Sequence, residues 1–293
     1  MLGNFGVLSF VDIYLFITLN MDSINFLIPF FERGKYTDTI MLLSDSREQK
    51  KVDYTELQVT IPGHVIQIEG GEFYRATKAL KELLSNSGEF CERYQNLFNI
   101  GSQGFRVNDD FRNLLKSSPT ETVFLDIETT GFSNTPLFLI GLLYFDGNDI
   151  VIDQLFARDY SEEAYVLGYF SEFITNFRML VTFNGKSFDV PFIRDRMTYH
   201  RKVLKRTPIH VDILHHSRRR WKGKTPDCRL QTLEDCICGR RRDEDIPSAM
   251  VPEIYREFVR SGRTQFLTNV FHHNALDLIT LCELTLVLLT EEI

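Results

Sequence analysis

The sequence predicts an α/β protein: a mixed five-stranded sheet flanked by helices, preceded by a small α+β N-terminal region. Three observations carry this reading. From Glu121 onward, short apolar runs bounded by turn residues alternate with stretches of helical periodicity. Two of those runs are joined by Asp146-Gly147-Asn148-Asp149, a hairpin signal. The C-terminal stretch from Ala275 is an apolar helix that must be largely buried.

The elements follow in order. Between Val59 and Gly71, Pro62-Gly63 and Gly70-Gly71 punctuate two short strands, and Ala76 to Leu84 reads as a short helix. Ser117-Ser118-Pro119-Thr120 reads as a linker, giving a boundary between residues 21–118 and 119–293. Thr122 to Ile127 is then a buried strand, followed by strands over Leu137–Phe145 and Ile150–Phe156. Ser161 is placed to cap a helix running to Asn176. Met179 to Phe183 gives a fourth strand. Pro191 suits the first turn of a helix reaching His200. Ile209 to Ile213 gives a fifth strand, and the remainder reads as helical.

Composition narrows the function classes. The 293 residues are 43% hydrophobic and 25% charged, which excludes a disordered chain, collagen and a disulfide-stapled miniprotein. The net charge of −7 excludes a uniformly basic nucleic-acid packer but not a local basic patch. Five cysteines, an odd number without C-x-x-C pairing, fit a reducing compartment and packing roles better than a thiolate metal site. Residues 1–20 form a hydrophobic segment. Asp12 at its middle would cost about 2.5–3.5 kcal/mol at a bilayer centre. No Lys or Arg precedes Arg33, and Met21 follows directly. A mis-assigned start or a buried segment is expected rather than an anchor, so the expectation is a soluble, cytoplasmic protein with no membrane partner.

The chemistry sits in three short stretches. Asp126 and Glu128 lie two apart on a strand, so their carboxylates share a face. Two like charges held that close call for a cation. Asp189, in Asn184-Gly185-Lys186-Ser187-Phe188-Asp189, comes at a helix start after a buried strand, where α/β sheets place ligands; an N-cap is the alternative reading. Gly185-Lys186-Ser187 is no P-loop, because Leu180 stands where that motif needs glycine. Asp277 lies inside the apolar C-terminal helix, where an ionised carboxylate is expensive unless paired or metal-bound. His273 is four residues earlier and shares its helical face, whereas His272 is five earlier. Asp212 reads as an N-cap outside the site.

Together these stretches resemble the three motifs of the DEDD superfamily of 3′–5′ exonucleases, which have a ribonuclease H-like fold. The motifs are Asp126-Ile-Glu128-Thr-Thr-Gly, Asn184 through Asp189, and His273-Asn-Ala-Leu-Asp277. Val211 to Lys222, Cys228 to Glu234 and Asp245-Ile-Pro are similar to the bacterial YprB-type branch. The resemblance covers about residues 120–290, with a looser likeness around 60–75. It implies phosphodiester hydrolysis with two Mg²⁺ or Mn²⁺, held by Asp126, Glu128, Asp189 and Asp277. It also implies that a histidine accepts the proton of the attacking water. Family members place either a histidine five residues before the last Asp or a tyrosine four before it. His272 and His273 each satisfy one register, and the shared helical face favours His273.

On the substrate side, residues 194–242 carry 15 Lys and Arg against 5 Asp and Glu, a net +10 that leaves −17 for the remainder. Arg218, Arg219, Arg220, Trp221 and Lys222 put the only tryptophan in a cationic cluster, suited to phosphate contact and base stacking; Asn184 joins them as a nucleic-acid contact. A solvated helix face is the plainer reading of the cluster. The expected partner is a single-stranded or frayed 3′ end of DNA or RNA. The alternatives are a catalytically weak nucleic-acid-binding module of a repair or RNA-processing assembly, and a structure-specific endonuclease.

Overall fold

In the computed structural model the chain is described over residues 55–100, 108–242 and 245–292. The expectation for residues 1–20 lies outside the described residues. Seven strands form one mixed sheet: β1 His64–Ile68, β2 Gly71–Ala79, β3 Thr122–Thr129, β4 Leu137–Phe145, β5 Ile150–Phe156, β6 Met179–Thr182 and β7 Ile209–Asp212, in the order β1-β2-β5-β4-β3-β6-β7. The five expected strands are there, and two more extend the sheet. β3 pairs antiparallel with β4 and parallel with β6, so the sheet changes character at the strand that carries the first two acids.

The N-terminal strands partly follow and partly correct the sequence reading: β1 is the second of the two short strands expected between Val59 and Gly71, whereas Val59 and Thr60 end a helix, Thr55–Thr60, instead of forming the first. Ala76 to Leu84 is rich in helix formers, yet β2 runs through Ala79 and only Leu80–Glu82 turn, as one 3₁₀ turn. Pairing decides it: Tyr74 through Ala79 lie opposite Phe156 through Val151 of β5, and tertiary pairing overrides a weak local preference. β1 then adds to β2 as a hairpin turned at Glu69 and Gly70, the latter at φ +86°.

Nine helices are described: α1 Thr55–Thr60, α2 Ser87–Ile100, α3 Asp109–Leu115, α4 Glu163–Phe173, α5 Asp189–Tyr199, α6 Ile213–Trp221, α7 Leu230–Leu233, α8 Val251–Ser261 and α9 Leu267–Glu292. Ser161 does not cap α4, which has no side-chain cap; its hydroxyl bonds Asp159 instead. Two apolar cores lie on the two faces of the sheet. Val123, Leu125 and Ile127 of β3 join the first with α4, α5 and α8; Phe124 joins the second with α2, α3, α6 and most of α9. This period of two puts Asp126 and Glu128 on the side of Phe124, toward α9. A 24-residue stretch of α9, Leu267–Thr290, is apolar and long enough to cross a membrane, and most of it is buried in the protein.

Candidate functional site

The carboxylates converge where β3, α5 and α9 meet. β6 stops pairing with β3 after Phe124↔Val181, which releases the far end of β3 from its parallel neighbour. The freed amide of Ile127 hydrogen-bonds the Asp189 carboxylate at the first residue of α5. The turn before α5 is held from beneath: Asp212 accepts the amides of Asn184 (2.8 Å) and Lys186 (2.9 Å), and also caps α6 through Leu214 (3.1 Å). The cap reading of Asp212 therefore describes a residue that fixes two segments at once. Asn184 takes φ +66°, and a Cβ on Gly185 would meet Thr182 at 2.4 Å, so the turn admits only a glycine there.

Asp126 is set by a row of residues running across the sheet. It lies opposite Gly141 of β4, which lies opposite Gln154 of β5. Above this row sits Asn274 of α9, which donates to Asp126 Oδ2 (2.8 Å) and accepts from Gln154 Nε2 (2.9 Å). Gln154 also donates to the Phe271 carbonyl (2.7 Å). A Cβ on Gly141 would lie 2.1 Å from Asn274 Oδ1, so only glycine allows the amide to settle onto the strand.

Asp277 and His273 lie one turn apart on α9, with His273 Nε2 3.7 Å from Asp277 Oδ2. Arg242 Nη2 contacts Asp277 Oδ1 at 2.6 Å, although the approach is not along a hydrogen-bonding direction and that oxygen receives no directed hydrogen bond. Arg242 also holds Glu234 (2.5 Å) and Asp245 (2.8 Å). His272 is exposed, whereas His273 is 2% exposed.

Crowding of charge is the electrostatic signature of the site. Burial, and then Asp277, Glu128 and Asp189, push the Asp126 carboxyl well above the usual carboxylate range. Burial, then Asp277 and Asp189, do the same to Glu128. Asp189 is pushed up to about 7 by burial, partly offset by backbone amides. Burial opposes the charged form of His273, but the hydrogen bond to Asp245 and the charges of Asp277 and Asp245 outweigh it and raise the imidazole above its ordinary value. Asp277 acts on Asp126, Glu128 and Asp189 alike, and Asp189 acts on Asp126 and Glu128, which fits one site rather than four separate roles.

The residues suit a hard divalent cation: four carboxylates, no thiolate, and a buried Asp277 oxygen without a directed hydrogen bond. Among the described residues, no three His, Cys, Asp or Glu side chains already enclose a metal ion. Asn274 and Arg242 engage Asp126 and Asp277.

The basic cluster lies elsewhere. Arg218, Arg219, Arg220 and Lys222 are exposed at the end of α6, which follows β7, two strands away from β3. Trp221 corrects the sequence reading: it is 4% exposed and packed in the second core, so its ring is not presented for stacking. Exposed aromatic surface lies along α5 and the loop after β3 instead. A cleft of about 400 Å³ opens between the loop after β3 and the start of α5, lined by Phe132, Ser187, Phe188, Pro191 and Tyr199 among others. Phe132 and Tyr199 are each 70% exposed.

Sequence reasoning missed Asn274, Gln154, Arg242 and the role of Asp245. The one legible signal was Gly141, a lone glycine inside an apolar strand, which marks a close approach.

Comparison with known proteins places this chain in a family. A model of the ribonuclease H superfamily matches residues 123–289, more than half of the chain, and spans every acid described above. The chain belongs to the ribonuclease H superfamily. Its mixed sheet flanked by helices is the ribonuclease H-like α/β fold, with seven strands rather than five. It is 35% identical over 167 residues to the uncharacterized protein YprB of Bacillus subtilis (strain 168), across 55% of this chain and 40% of that protein. Among solved structures, it is similar to the family B DNA polymerase of the hyperthermophilic archaeon Pyrobaculum calidifontis (16% identity, TM-score 0.47, 57% of this chain and 24% of that one). It is also similar to an exonuclease I in its apo form (15% identity, TM-score 0.31, 52% and 44%). The chain thus spans less than half the length of each of these proteins.

Proposed function

We propose that this ribonuclease H superfamily protein is a divalent-cation-dependent 3′–5′ exonuclease acting on single-stranded or frayed ends of DNA or RNA. The superfamily supports a nuclease-like function. The observation that carries the finer reading is the convergence of Asp126, Glu128, Asp189 and Asp277, three of them with strongly raised carboxyl pKa values, around a buried histidine one turn from Asp277.

In this reading Asp126, Glu128, Asp189 and Asp277 hold two Mg²⁺ or Mn²⁺. A pair of such cations supplies charge neutralisation at the attacking and leaving oxygens of the phosphodiester. The chain's own residues do the rest. Asn274 holds the Asp126 carboxylate in one orientation, and the Ile127 amide does the same for Asp189. His273 takes the proton of the attacking water; His272, exposed and without a described bond to an acid of the site, is the weaker candidate. Phe132, and the face of Tyr199 not covered by the Arg196 guanidinium, offer π surface to unpaired bases in the cleft along α5. Arg218, Arg219, Arg220 and Lys222 contact phosphates farther along the strand.

The test is direct. Purified protein is incubated with 5′-labelled single-stranded DNA and RNA oligomers in Mg²⁺, Mn²⁺ or EDTA, alongside Asp126→Ala. A metal-dependent ladder shortening from the 3′ end, absent in the variant, is the expected result. Internal cuts would replace the proposal with an endonuclease, and salt-sensitive binding without cleavage would leave a binding module.

A further inference from the structure

We propose that Asp245 is a positioning residue that fixes the tautomer of His273, so that Nε2 is the atom presented toward Asp277. The inference rests on the exonuclease reading for its catalytic consequence, but its geometry stands alone. Asp245 Oδ2 and Oδ1 lie 2.8 and 2.9 Å from His273 Nδ1. A carboxylate only accepts, so the proton of a neutral ring sits on Nδ1. The lone pair is then on Nε2, which faces Ser248 Oγ at 3.2 Å and Asp277 Oδ2 at 3.7 Å. The serine hydroxyl can rotate to donate to that lone pair, whereas Asp277 gains nothing from it. The carboxylate at Nδ1 thus decides the tautomer, since the serine hydroxyl can serve either as donor or as acceptor.

Asp245 is itself held. Arg242 Nη1 donates to its Oδ2 at 2.8 Å, and the Ile246 amide donates to its Oδ1 at 2.9 Å. The same guanidinium contacts Asp277 Oδ1 at 2.6 Å and is anchored by buried Glu234. One arginine therefore ties the residue that orients His273 to the acid that His273 faces. Carboxylates that orient a ring through its second nitrogen are a recurrent device, and losing one costs roughly 10–100-fold in metal affinity or activity at metal sites.

The experiment reads the ring directly. The full chain is labelled with ¹⁵N-histidine, and long-range ¹H–¹⁵N correlations are recorded in EDTA at the alkaline pH where imidazole signals no longer move. The assignment comes from His273→Gln. Wild-type protein is expected to show a protonated Nδ1 and an unprotonated Nε2; the opposite pattern overturns the proposal whatever the variants do. In Asp245→Asn the side-chain amide can donate to Nδ1. The tautomer is expected to reverse, with kcat falling by roughly 10–100-fold at little change in KM and Asp245→Glu restoring part of it. An unchanged tautomer and unchanged kcat in a folded Asp245→Asn would sink it. If wild-type protein cleaves nothing, the exonuclease reading fails, and the spectra alone judge the orientation.

Discussion

Asn274 rests on Gly141 as a bolt rests in a socket: its amide oxygen sits where a Cβ at position 141 would be, and its amide nitrogen reaches Asp126 Oδ2 at 2.8 Å. The contact couples the centre of the sheet to α9, and through it the first acid of the site to the last. Gly141→Ala is the smallest change that breaks it. A methyl 2.1 Å from Asn274 Oδ1 forces the amide or the strand to move. Overpacking of this kind costs about 1–3 kcal/mol, read from denaturant unfolding. The cleavage rate is expected to fall as well, because Asp126 loses its orienting donor. Full activity in Gly141→Ala would show that the amide contact is dispensable.

Removing the amide alone separates packing from orientation. Asn274→Ala leaves the strand undisturbed but takes the donor from Asp126 and the acceptor from buried Gln154. An unsatisfied buried group costs about 1–3 kcal/mol. Asn274→Asp keeps the shape and adds a fifth negative charge. In metal-free protein it is expected to destabilise more than Asn274→Ala at pH 8, with the order reversing near pH 4 as the carboxyls protonate. Thermal unfolding in EDTA at the two pH values checks this.

These contacts also show where sequence reasoning stops. β4 and β5 begin and end at the residues expected, because both are largely apolar runs bounded by turn residues, even though β5 carries Asp153 and Gln154 within it. The four acids were legible because charge in an apolar context is conspicuous. β2 was not, since the helix-forming character of Ala76 to Leu84 is overruled by pairing with β5, some 75 residues away in sequence for Thr77 and Asp153. Trp221 was misplaced for a related reason: Arg218, Arg219 and Arg220 make its surroundings in sequence cationic, while the turn of α6 carries its ring inward to the second core. The row Asp126, Gly141, Gln154 exists only once three strands share a register.

The raised carboxyl of Asp189 sets a pH dependence with a definite sign. Its folded value of about 7 lies above the ordinary 3.8, so folding favours the protonated form. The associated stability is fully present below about pH 4 and is lost as pH rises through about 7. This group by itself therefore makes metal-free protein less stable at pH 8 than at pH 4. Asp189→Asn removes this group's share of the difference, leaving that of Asp126 and Glu128, and is expected to be more stable than wild type in EDTA at pH 8. Mg²⁺ reverses the preference, because a cation favours the ionised acids. The rise in Tm on adding Mg²⁺ is expected to be larger at pH 8 than at pH 5 in wild type, and smaller in the variant at both. An equal rise at the two pH values would detach Asp189 from cation binding.

Stacking is expected to follow the exposed rings rather than the tryptophan. Phe132 and Tyr199 line the cleft along α5, and base–aromatic stacking contributes about 1–3 kcal/mol per base. Phe132→Ala is thus expected to weaken binding of a short single-stranded oligonucleotide by roughly 5- to 150-fold, measured with Ca²⁺ in place of Mg²⁺ to suppress cleavage. Trp221→Phe, a change within the second core, is expected to lower stability and leave affinity unaltered. Neutralising Arg218, Arg219 and Arg220 acts differently. For a single strand, every phosphate that is no longer neutralised lowers the slope of log affinity against log salt by about 0.7. A slope unchanged by all three substitutions would assign the cluster to solvated helix surface.

Arg242 offers the sharpest test of how the acids behave without a cation. Its guanidinium joins Glu234, Asp245 and Asp277, so Arg242→Gln leaves three carboxylates short of one positive charge. Glu234 keeps Arg240 at 2.7 Å and Asp245 keeps His273, but Asp277 is left with His273 alone among its described ion-pair partners. Breaking a buried ion pair from one side costs about 3–5 kcal/mol, and most of that loss is expected in EDTA. A divalent cation would then restore what the arginine supplied, because Asp277 is the member of the trio assigned to cation binding. Mn²⁺ is accordingly expected to raise the Tm of Arg242→Gln by more than it raises that of wild type, while K⁺ at the same ionic strength does not. An equal rise in both proteins would mean that Arg242 and the cation act at different acids.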